Sequence, residues 1–400
     1  MAPPLIQSLQ LNGFLSFEPG SAVIDLRPLN VLIGPNGSGK SNLIEAVELL
    51  RATAGDLAGT MRVGGAPAEW IWKGRANAEA EISARLALTM TPRPLCYRLT
   101  FAEVAQRLEI VDEAIEEIIP RPGQDDVYFY YRFQRGRPAI NTRLLQTDGT
   151  TGNPYTQRRF KREDLDPQQS VLSQRKDPDL YPEVTAVGTS FAAIQTFREW
   201  SFGRLSAPRL AQPADQSSTQ LEPDGRNLGL ILNEIEHSDA WSRLNECLRR
   251  FLPRFRYLST RIQAGSVQVY LHEEGLRSPV PATRLSDGTI RFIALLAMLL
   301  RAQTASVICI EEPELGLHPD ALDLIAELLV EASTKSQVIV TTHSDILVSA
   351  LTDHAESVLV CEHLGTGTAM SRVDSDKLKF WLDKYRLGEI WRIGKLGGNP

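Results

Sequence analysis

Residues Val31 to Ser41 read VLIGPNGSGKS, an apolar segment that runs into a glycine-rich turn ending in lysine and serine. From Gly34 onward the letters fit G-x-x-x-x-G-K-S, in which glycines let backbone N–H groups point inward around phosphate oxygens. The pattern needs a strand before it and a helix after it. Residues 29–33 are apolar, and residues 42–51 place their apolar side chains on one helical face. The stretch therefore predicts a nucleoside triphosphate site, and a glycine-rich surface turn is the alternative.

Each position of this stretch has an expected part in that site. Lysine supplies a positive charge for the β- and γ-phosphates and counts as a catalytic candidate, while the serine hydroxyl is a Mg²⁺ ligand. The predicted cofactors are therefore a nucleoside triphosphate and Mg²⁺. The predicted nucleotide-binding residues are Gly34, Pro35, Asn36, Gly37, Ser38, Gly39, Lys40 and Ser41.

The composition is that of a globular chain. Its 400 residues, 42% of them hydrophobic, suit two ordinary domains or one large α/β domain with insertions. The start, MAPPLIQSLQ, lacks a secretion signal, and the longest apolar run, 292–300, is too short to span a bilayer, so we expect a cytoplasmic protein with no membrane partner. Four scattered cysteines indicate reduced, mostly buried thiols. A net charge of -6 argues against a uniformly basic surface.

The order of patterns along the chain suggests three parts. Residues 1–164 would hold edge strands, the phosphate loop and, over 79–141, an antiparallel β subdomain, with a mobile connection at 54–68. Residues 165–260 would form an inserted helical lobe, with helical signals at 189–200 and 227–252. Residues 261–400 regain a strand–helix alternation that implies a mainly parallel sheet. The predicted fold class is α/β.

Two acids end an apolar strand pattern in VICIEE, which closes with Glu311 and Glu312. The carboxyl edge of a parallel sheet is where α/β proteins bind ligands. Glu311 would hold Mg²⁺ through water, and Glu312 would polarise the water that attacks the γ-phosphate. The alternative is two acids that merely cap the next turn.

A second apolar strand pattern ends in Thr341-Thr342-His343-Ser344, so His343 is expected beside Glu312. An imidazole there could contact the γ-phosphate and is a catalytic candidate. A structural histidine is the alternative.

The sequence LSDGT, residues 285–289, opens an apolar helix and would present Ser286 and Gly288 at an anion site formed by free amides. An ordinary serine N-cap is the alternative. Because one nucleotide does not need two such sites in one chain, Ser286 and Gly288 would reach a nucleotide held by a second copy.

GPNGSGKS, LSDGT, ICIEEPELGLHP and TTHS, in this order, resemble the Walker A, signature, Walker B with D-loop, and H-loop motifs of ABC-type ATPases. They are similar in particular to the RecF/SMC-like branch of AAA-family ATPases that includes the overcoming-lysogenisation-defect proteins. KDPDLYPEVT, FREWSFGR, DGRNLGLILN and YRLGEIWRIGKLGG also resemble that branch. The resemblance implies a P-loop NTPase fold with an ABC-type ATPase head, a β subdomain and an inserted helical lobe.

The resemblance also implies a head-to-tail homodimer that sandwiches two ATP molecules between Walker A of one subunit and LSDGT of the other. Two positions depart from the usual pattern: Glu311 replaces the Walker B aspartate, and Asp287 replaces a signature glycine. For the Q-loop glutamine the sequence leaves Gln169 and Gln174 as candidates, and Gln195 is a less favoured third.

Two functions remain open. In the first, an ATPase acts on double-stranded DNA in repair or anti-phage defence, with arginines of 249–256, Arg261 and the cluster 158–162 as phosphate contacts. A solvated or carboxylate-pairing surface is the alternative for those clusters. In the second, a slow nucleotide switch holds a toxic effector without binding DNA. No acidic nuclease-like cluster follows the H-loop, so nuclease chemistry would come from a partner chain.

Overall fold

The computed structural model describes residues 4–75, 78–134, 137–143, 155–159, 161, 164–198 and 200–398. Its strands are β1 (Ile6–Asn12), β2 (Ile24–Asp25), β3 (Leu29–Ile33), β4 (Ala80–Leu86), β5 (Leu95–Val104), β6 (Arg107–Glu117), β7 (Phe129–Gln134), β8 (Arg137–Arg143), β9 (Tyr155–Arg159), β10 (Gln195–Phe197), β11 (Gln212–Pro213), β12 (Phe255–Gln263), β13 (Ser266–Glu273), β14 (Val280–Pro281), β15 (Val307–Glu311), β16 (Gln337–Thr341), β17 (Val358–Leu364) and β18 (Gly367–Arg372). Its α-helices are α1 (Lys40–Thr53), α2 (Leu57–Val63), α3 (Val171–Gln174), α4 (Pro182–Ala192), α5 (Leu228–Glu236), α6 (Ala240–Phe251), α7 (Asp287–Leu300), α8 (Leu322–Ser333), α9 (Asp345–Ala350), α10 (Ser375–Leu382) and α11 (Leu387–Arg392).

A six-stranded sheet forms the centre, in the order β10-β15-β16-β3-β17-β18. All neighbours are parallel except β17 and β18. Strand β3 is buried at every position, as the apolar pattern predicts, because helices cover both faces. Its Val31 and Ile33 join the hydrophobic core that contains α7 and α8, whereas Leu32 joins the core that contains α1. The carboxyl ends of β3, β15 and β16 therefore meet at one edge.

An antiparallel sheet of eight strands packs on the α1 side, in the order β2-β1-β4-β5-β6-β7-β8-β9. Its alternating burial, as in β4, gives one face to the core and the other to solvent. Strands β4 to β8, which cover most of the stretch 79–141, pair antiparallel as that pattern predicts. The edge strands β1 and β2 belong to the same sheet.

The third unit is a smaller sheet of β11, β13, β12 and β14 that packs with α5, α6 and α7. The residues of this unit differ from those of the helical lobe predicted over 165–260. Strand β10, which falls inside the predicted helical lobe 165–260, pairs with β15 in the central sheet. Helix α4 joins the core around α1. The lobe that follows residue 200 is mixed, because the antiparallel hairpin of β12 and β13 supplies much of it.

Two local expectations are wrong. The helical pattern over 189–200 ends with α4 at Ala192 and is replaced by strand β10, because parallel pairing with β15 outweighs local helical spacing. The connection 54–68 contains helix α2, whose Leu57 and Met61 are buried. All four cysteines are free, and Cys247, Cys309 and Cys361 are buried. Among the described residues no helix has the length and apolar character needed to cross a bilayer.

Candidate functional site

The glycine-rich loop joins β3 to α1 in a conformation that other residues rarely adopt. Gly34, Gly37 and Gly39 have φ values of 145°, 76° and 95°. A Cβ on Gly34 would lie 2.2 Å from the backbone oxygen of Cys361 on β17, so the loop can pass that strand only with glycine there. Helix α1 begins at Lys40 without a side-chain cap, and its first amides remain available to an anion.

The Lys40 ammonium is buried at the centre of this loop. Its Nζ donates hydrogen bonds to the backbone oxygens of Gly34 (2.7 Å) and Pro35 (3.0 Å). Burial lowers the pKa of Lys40, and the charges of Cys361 and Glu312 oppose that shift. A buried cation of this kind gains from a phosphate partner, because the phosphate replaces lost hydration with an opposite charge.

The donor set of the loop fits a phosphate and a magnesium ion. Ser38 Oγ is buried and has no hydrogen-bond partner among the described residues. Ser41 lies exposed in the first turn of α1, and Glu311 ends β15 at the same sheet edge. Hydroxyl and carboxylate oxygens are the ligands that Mg²⁺ prefers. Ser41 and Glu311 would therefore hold the ion.

Glu311 takes part in a charged cluster that the sequence did not indicate. The guanidinium of Arg198, directly after β10, contacts Glu311 Oε1 (3.3 Å), Glu45 Oε1 (2.7 Å) and Glu48 Oε2 (3.3 Å). Burial alone would lower the pKa of Arg198, but the hydrogen bond that Arg198 donates to Glu45 and the charges of the glutamates raise it. Arg198 therefore stays charged between α1 and the end of β15.

None of the three Q-loop candidates lies at this edge. Gln195 begins β10, so it stands at the opposite end of that strand from Arg198. Gln169 bonds the backbone of Leu57 and the side chain of Asp56, and Gln174 bonds Asp166 and the backbone of Gln169. Arg198 occupies the strand end that faces Glu311.

Glu312 and His343 lie together, as the neighbouring strand ends predict. The distance between Glu312 Oε1 and His343 Nε2 is 3.7 Å. Glu312 has a φ of 47°, an uncommon value for a residue with a side chain, and it is held there because its N–H bonds the backbone oxygen of Thr341 (3.0 Å). The strained backbone turns the second acid out of the strand direction at the sheet edge.

Glu314 ties the segment after Walker B to the strand end that carries His343. Its Oε1 accepts hydrogen bonds from Thr342 Oγ1 (2.6 Å) and from the backbone N–H of His343 (2.9 Å). Arg291 of α7 approaches from the other side, where its guanidinium donates to the backbone oxygens of Trp200 (3.2 Å) and Glu312 (3.5 Å). Burial lowers the pKa of Arg291, against the charges of the nearby glutamates. These contacts fix the position of Glu312 from two elements.

The LSDGT segment lies at the start of α7. Ser286 is the N-cap, with its Oγ accepting from the N–H of Thr289 (3.1 Å). Ser286 therefore also fits the alternative interpretation as an ordinary serine N-cap. A Cβ on Gly288 would lie 2.7 Å from the backbone oxygen of Gly316, so glycine permits close packing against the segment after Glu312. No hydrogen bond among the described residues joins 285–289 to 34–41.

Arg209 holds this segment from inside the lobe. It is 5% exposed, and its guanidinium donates to the backbone oxygens of Leu285, Ala282 (3.3 Å) and Phe202 (2.9 Å). It also pairs with the carboxylate of Asp287, the residue that departs from the signature pattern. A buried guanidinium that satisfies three carbonyls and one carboxylate fixes the backbone on which Ser286 stands.

Some arginines of the predicted basic clusters already pair with carboxylates of this chain and are not available to DNA phosphates. Arg250 makes a bidentate pair with Glu327 (2.6 and 2.8 Å) and Arg254 pairs with Glu273 (3.3 Å). Arg256 and Arg261 are exposed and approach the rings of Tyr257 and Tyr270 instead. In the cluster 158–162, residues 158 and 159 lie on β9, and 160 and 162 fall outside the described residues.

Sequence reasoning missed Arg198, Arg209 and Glu314. Glu314 sits in the conspicuous stretch EEPELGLHP and could have been found there. Arg198 and Arg209 stand in a stretch without regular periodicity, and most of their partners lie far away in sequence. Only the three-dimensional fold brings those arginines to the two sites.

A parallel sheet with a phosphate loop, two acids and a histidine at one edge, and a separate LSDGT helix, defines an SMC/RecF-like ABC-type ATPase head. The chain belongs to the family described as "AAA domain, putative AbiEii toxin, Type IV TA system", whose sequence profile matches residues 29–349. It thus belongs to the ATPase family of the AAA/SMC/OLD type.

Two proteins with sequence similarity agree with this assignment. The Old nuclease of Escherichia phage P2 is 23% identical over 398 residues, which covers 94% of this chain. The chain spans only 62% of the length of that relative. The chromosome partition protein Smc of Lactiplantibacillus plantarum is 32% identical over 100 residues, which is 25% of this chain and 8% of Smc.

Solved SMC heads share the fold. An SmcHead bound to the C-winged helix domain of ScpA matches with a TM-score of 0.59 and 14% identity, covering 94% of this chain and 100% of that one. A Smc head from Pyrococcus furiosus, with an extended coiled coil and the C-terminal domain of ScpA, gives a TM-score of 0.57 at 13% identity, over 95% and 99% of the two chains. The P-loop ABC-type ATPase fold is confirmed.

Proposed function

We propose that this protein hydrolyses ATP to ADP and phosphate in a homodimer that encloses two ATP molecules. The observation that carries the proposal is the pair of Glu312 and His343, 3.7 Å apart at the sheet edge where Lys40 lies buried. A carboxylate and an imidazole beside a phosphate loop are suited to activating water and contacting a γ-phosphate.

The roles follow from the chemistry of each group. Lys40 would leave its two carbonyl partners for the β- and γ-phosphates, while the amides at the start of α1 bind phosphate oxygens. Glu312 would accept the proton of the attacking water, and His343 would donate to the γ-phosphate. Ser41 and Glu311 would hold Mg²⁺, which supplies charge neutralisation for the β- and γ-oxygens when bound.

The dimer supplies the opposite wall of the site. Ser286 and Gly288 lie at the start of α7, where Ser286 bonds Thr289 and Gly288 packs against the backbone of Gly316. In a head-to-tail pair their hydroxyl and amides would close the nucleotide held by Lys40 of the other copy. A shared site makes dimerisation depend on the nucleotide, so ATP links the subunits until it is hydrolysed.

The test replaces the proposed base without changing its size. Glu312→Gln should bind ATP, release phosphate at least about 100-fold more slowly, and accumulate as an ATP-dependent dimer in light scattering. Glu327→Gln, which alters an exposed glutamate in a surface ion pair, is the control and should match the parent. Hydrolysis by Glu312→Gln at the parent rate would remove Glu312 from the base role.

We propose further that the dimer acts on double-stranded DNA, in repair or anti-phage defence. The support is a surface on β12 and β13, here called the hairpin face: Tyr257, Ser259, Arg261, Gln268, Tyr270 and His272. Residues 254–284 contain five arginines and two glutamates. On the hairpin face Tyr257 stacks on His272 at 3.9 Å. Exposed arginines beside aromatic rings suit phosphate and base contacts.

Salt-dependent binding of a DNA duplex tests this part. Arg256→Ala with Arg261→Ala should weaken binding and lower the slope of log K against log salt by up to about 1.8, since each lost phosphate contact removes about 0.9. Arg250→Ala is the control, because its guanidinium is already committed to Glu327. Absence of duplex binding by the parent at low salt would refute the DNA role.

That outcome would favour the second function, a slow nucleotide switch that controls a toxic effector. The family description, which names a toxin and a toxin–antitoxin system, supports this alternative. In both cases we place the protein in the cytoplasm with a partner chain that carries the effector or nuclease chemistry.

A further inference from the structure

We propose that Arg198 competes with Mg²⁺ for the carboxylate of Glu311 and thereby sets how much Mg²⁺ the nucleotide site requires. This inference rests on the proposed function, in which Glu311 helps to hold the ion. The structure pairs the Arg198 guanidinium with Glu311 at 3.3 Å, and a dication and a guanidinium seek the same oxygens.

The backbone holds Arg198 at that place. Phe197, one residue earlier, is buried in β10, which pairs with β15 up to Ile310. Two residues later, the backbone oxygen of Trp200 accepts a hydrogen bond from Arg291 (3.2 Å). The guanidinium therefore starts from a point fixed on both sides, and its reach to Glu311 is set by the sheet and not by a free loop.

The Arg198 guanidinium also contacts two carboxylates of α1. Glu45 and Glu48 lie three residues apart on α1 and contact it at 2.7 and 3.3 Å. A cavity of about 590 Å³ lies beside the cluster, with Glu45, Glu48 and Arg198 in its lining. If Glu311 binds the ion, Arg198 therefore keeps its ion pairs with Glu45 and Glu48 and does not become an unpaired buried charge.

Partial burial makes the competition measurable. The side chains of Arg198 and Glu311 are 26% and 18% exposed, so solvent screens their attraction less than it screens a surface pair. A positive charge next to the ion also repels it. Both effects raise the Mg²⁺ concentration that the site needs, and removal of the guanidinium should lower it.

The experiment titrates Mg²⁺ against the binding of a fluorescent, non-hydrolysable ATP analogue. Arg198→Met should lower the half-saturating Mg²⁺ concentration roughly three- to tenfold. Arg198→Lys, which keeps the charge, should give a midpoint between those of Arg198→Met and the parent. Arg250→Met, which breaks the surface pair with Glu327, is the control and should leave the midpoint unchanged.

A double-mutant cycle separates competition from general electrostatics. Glu45→Gln with Glu48→Gln leaves the guanidinium to Glu311 alone, so it should raise the Mg²⁺ midpoint more in the Arg198 background than in Arg198→Met. Thermal unfolding of each variant confirms that the fold persists. An equal rise in both backgrounds would overturn the competition.

Two further outcomes are separable. An unchanged or higher midpoint in folded Arg198→Met would overturn the inference and leave Arg198 as a structural or aligning group. If nucleotide binding by the parent does not depend on Mg²⁺ at all, the proposed Mg²⁺ site itself fails.

Discussion

The phosphate loop and the LSDGT segment are two halves of one proposed site, and they are held in different ways. In the loop, the Lys40 side chain is held locally, because it bonds backbone oxygens only five and six residues earlier. The LSDGT segment is fixed by Arg209, whose partners Leu285 and Asp287 lie 76 and 78 residues later. The difference teaches that nucleotide binding and nucleotide-dependent dimerisation depend on separate structural supports, which mutations can separate.

The largest effect is expected in the phosphate loop, at the glycine that passes close to β17. Gly34→Ala would place a Cβ 2.2 Å from the backbone oxygen of Cys361, and neither backbone can yield without disturbing the central sheet. We expect a loss of about 3 kcal/mol in the free energy of unfolding and no measurable ATP binding. Denaturant titration and a fluorescent-nucleotide assay measure the two quantities.

Gly37→Ala is the matched control inside the same loop. Its φ of 76° is also unfavourable for alanine, but no atom lies within 4 Å of the added Cβ. The expected loss is about 1 kcal/mol, the usual cost of a left-handed residue. Equal losses in the two variants would show that the contact with Cys361 does not constrain the loop.

The same contrast explains what the sequence could and could not predict. The loop, the acids and the histidine follow apolar strands of a parallel sheet, so spacing alone brought Lys40, Glu312 and His343 to one edge. Arg198 and Arg209 carried no periodic signal. Their roles arise because β10 joins the central sheet and the lobe folds back on α7, which are long-range events.

Loss of the Arg209 contacts should affect dimerisation through the LSDGT segment and leave nucleotide binding by the phosphate loop intact. Arg209→Met removes hydrogen bonds to three buried carbonyls, so we expect a loss of about 2 kcal/mol in unfolding free energy. Fluorescent-nucleotide affinity should stay within about twofold of the parent, because the phosphate loop does not contact Arg209. The ATP-dependent dimer should disappear in light scattering in the Glu312→Gln background.

Arg226→Met provides the comparison for that variant. Its guanidinium pairs with Asp224 at 3.0 Å, but both side chains are more than half exposed, so stability and dimerisation should remain those of the parent. A dimer that survives Arg209→Met would mean that the LSDGT segment keeps its shape without the buried guanidinium.

The smallest effect separates the two kinds of contact that Arg209 makes. Asp287→Asn removes the charge of a side chain that is 71% exposed, while the three carbonyl contacts of Arg209 persist. The loss in unfolding free energy should stay below about 1 kcal/mol, and the dimer should form at a somewhat higher ATP concentration. Raised salt should narrow the difference from the parent, because solvent ions screen the charge of the exposed Asp287 carboxylate. A loss as large as that of Arg209→Met would instead assign the support of Ser286 to the Asp287 carboxylate, and the backbone carbonyls would then be passive neighbours of the guanidinium.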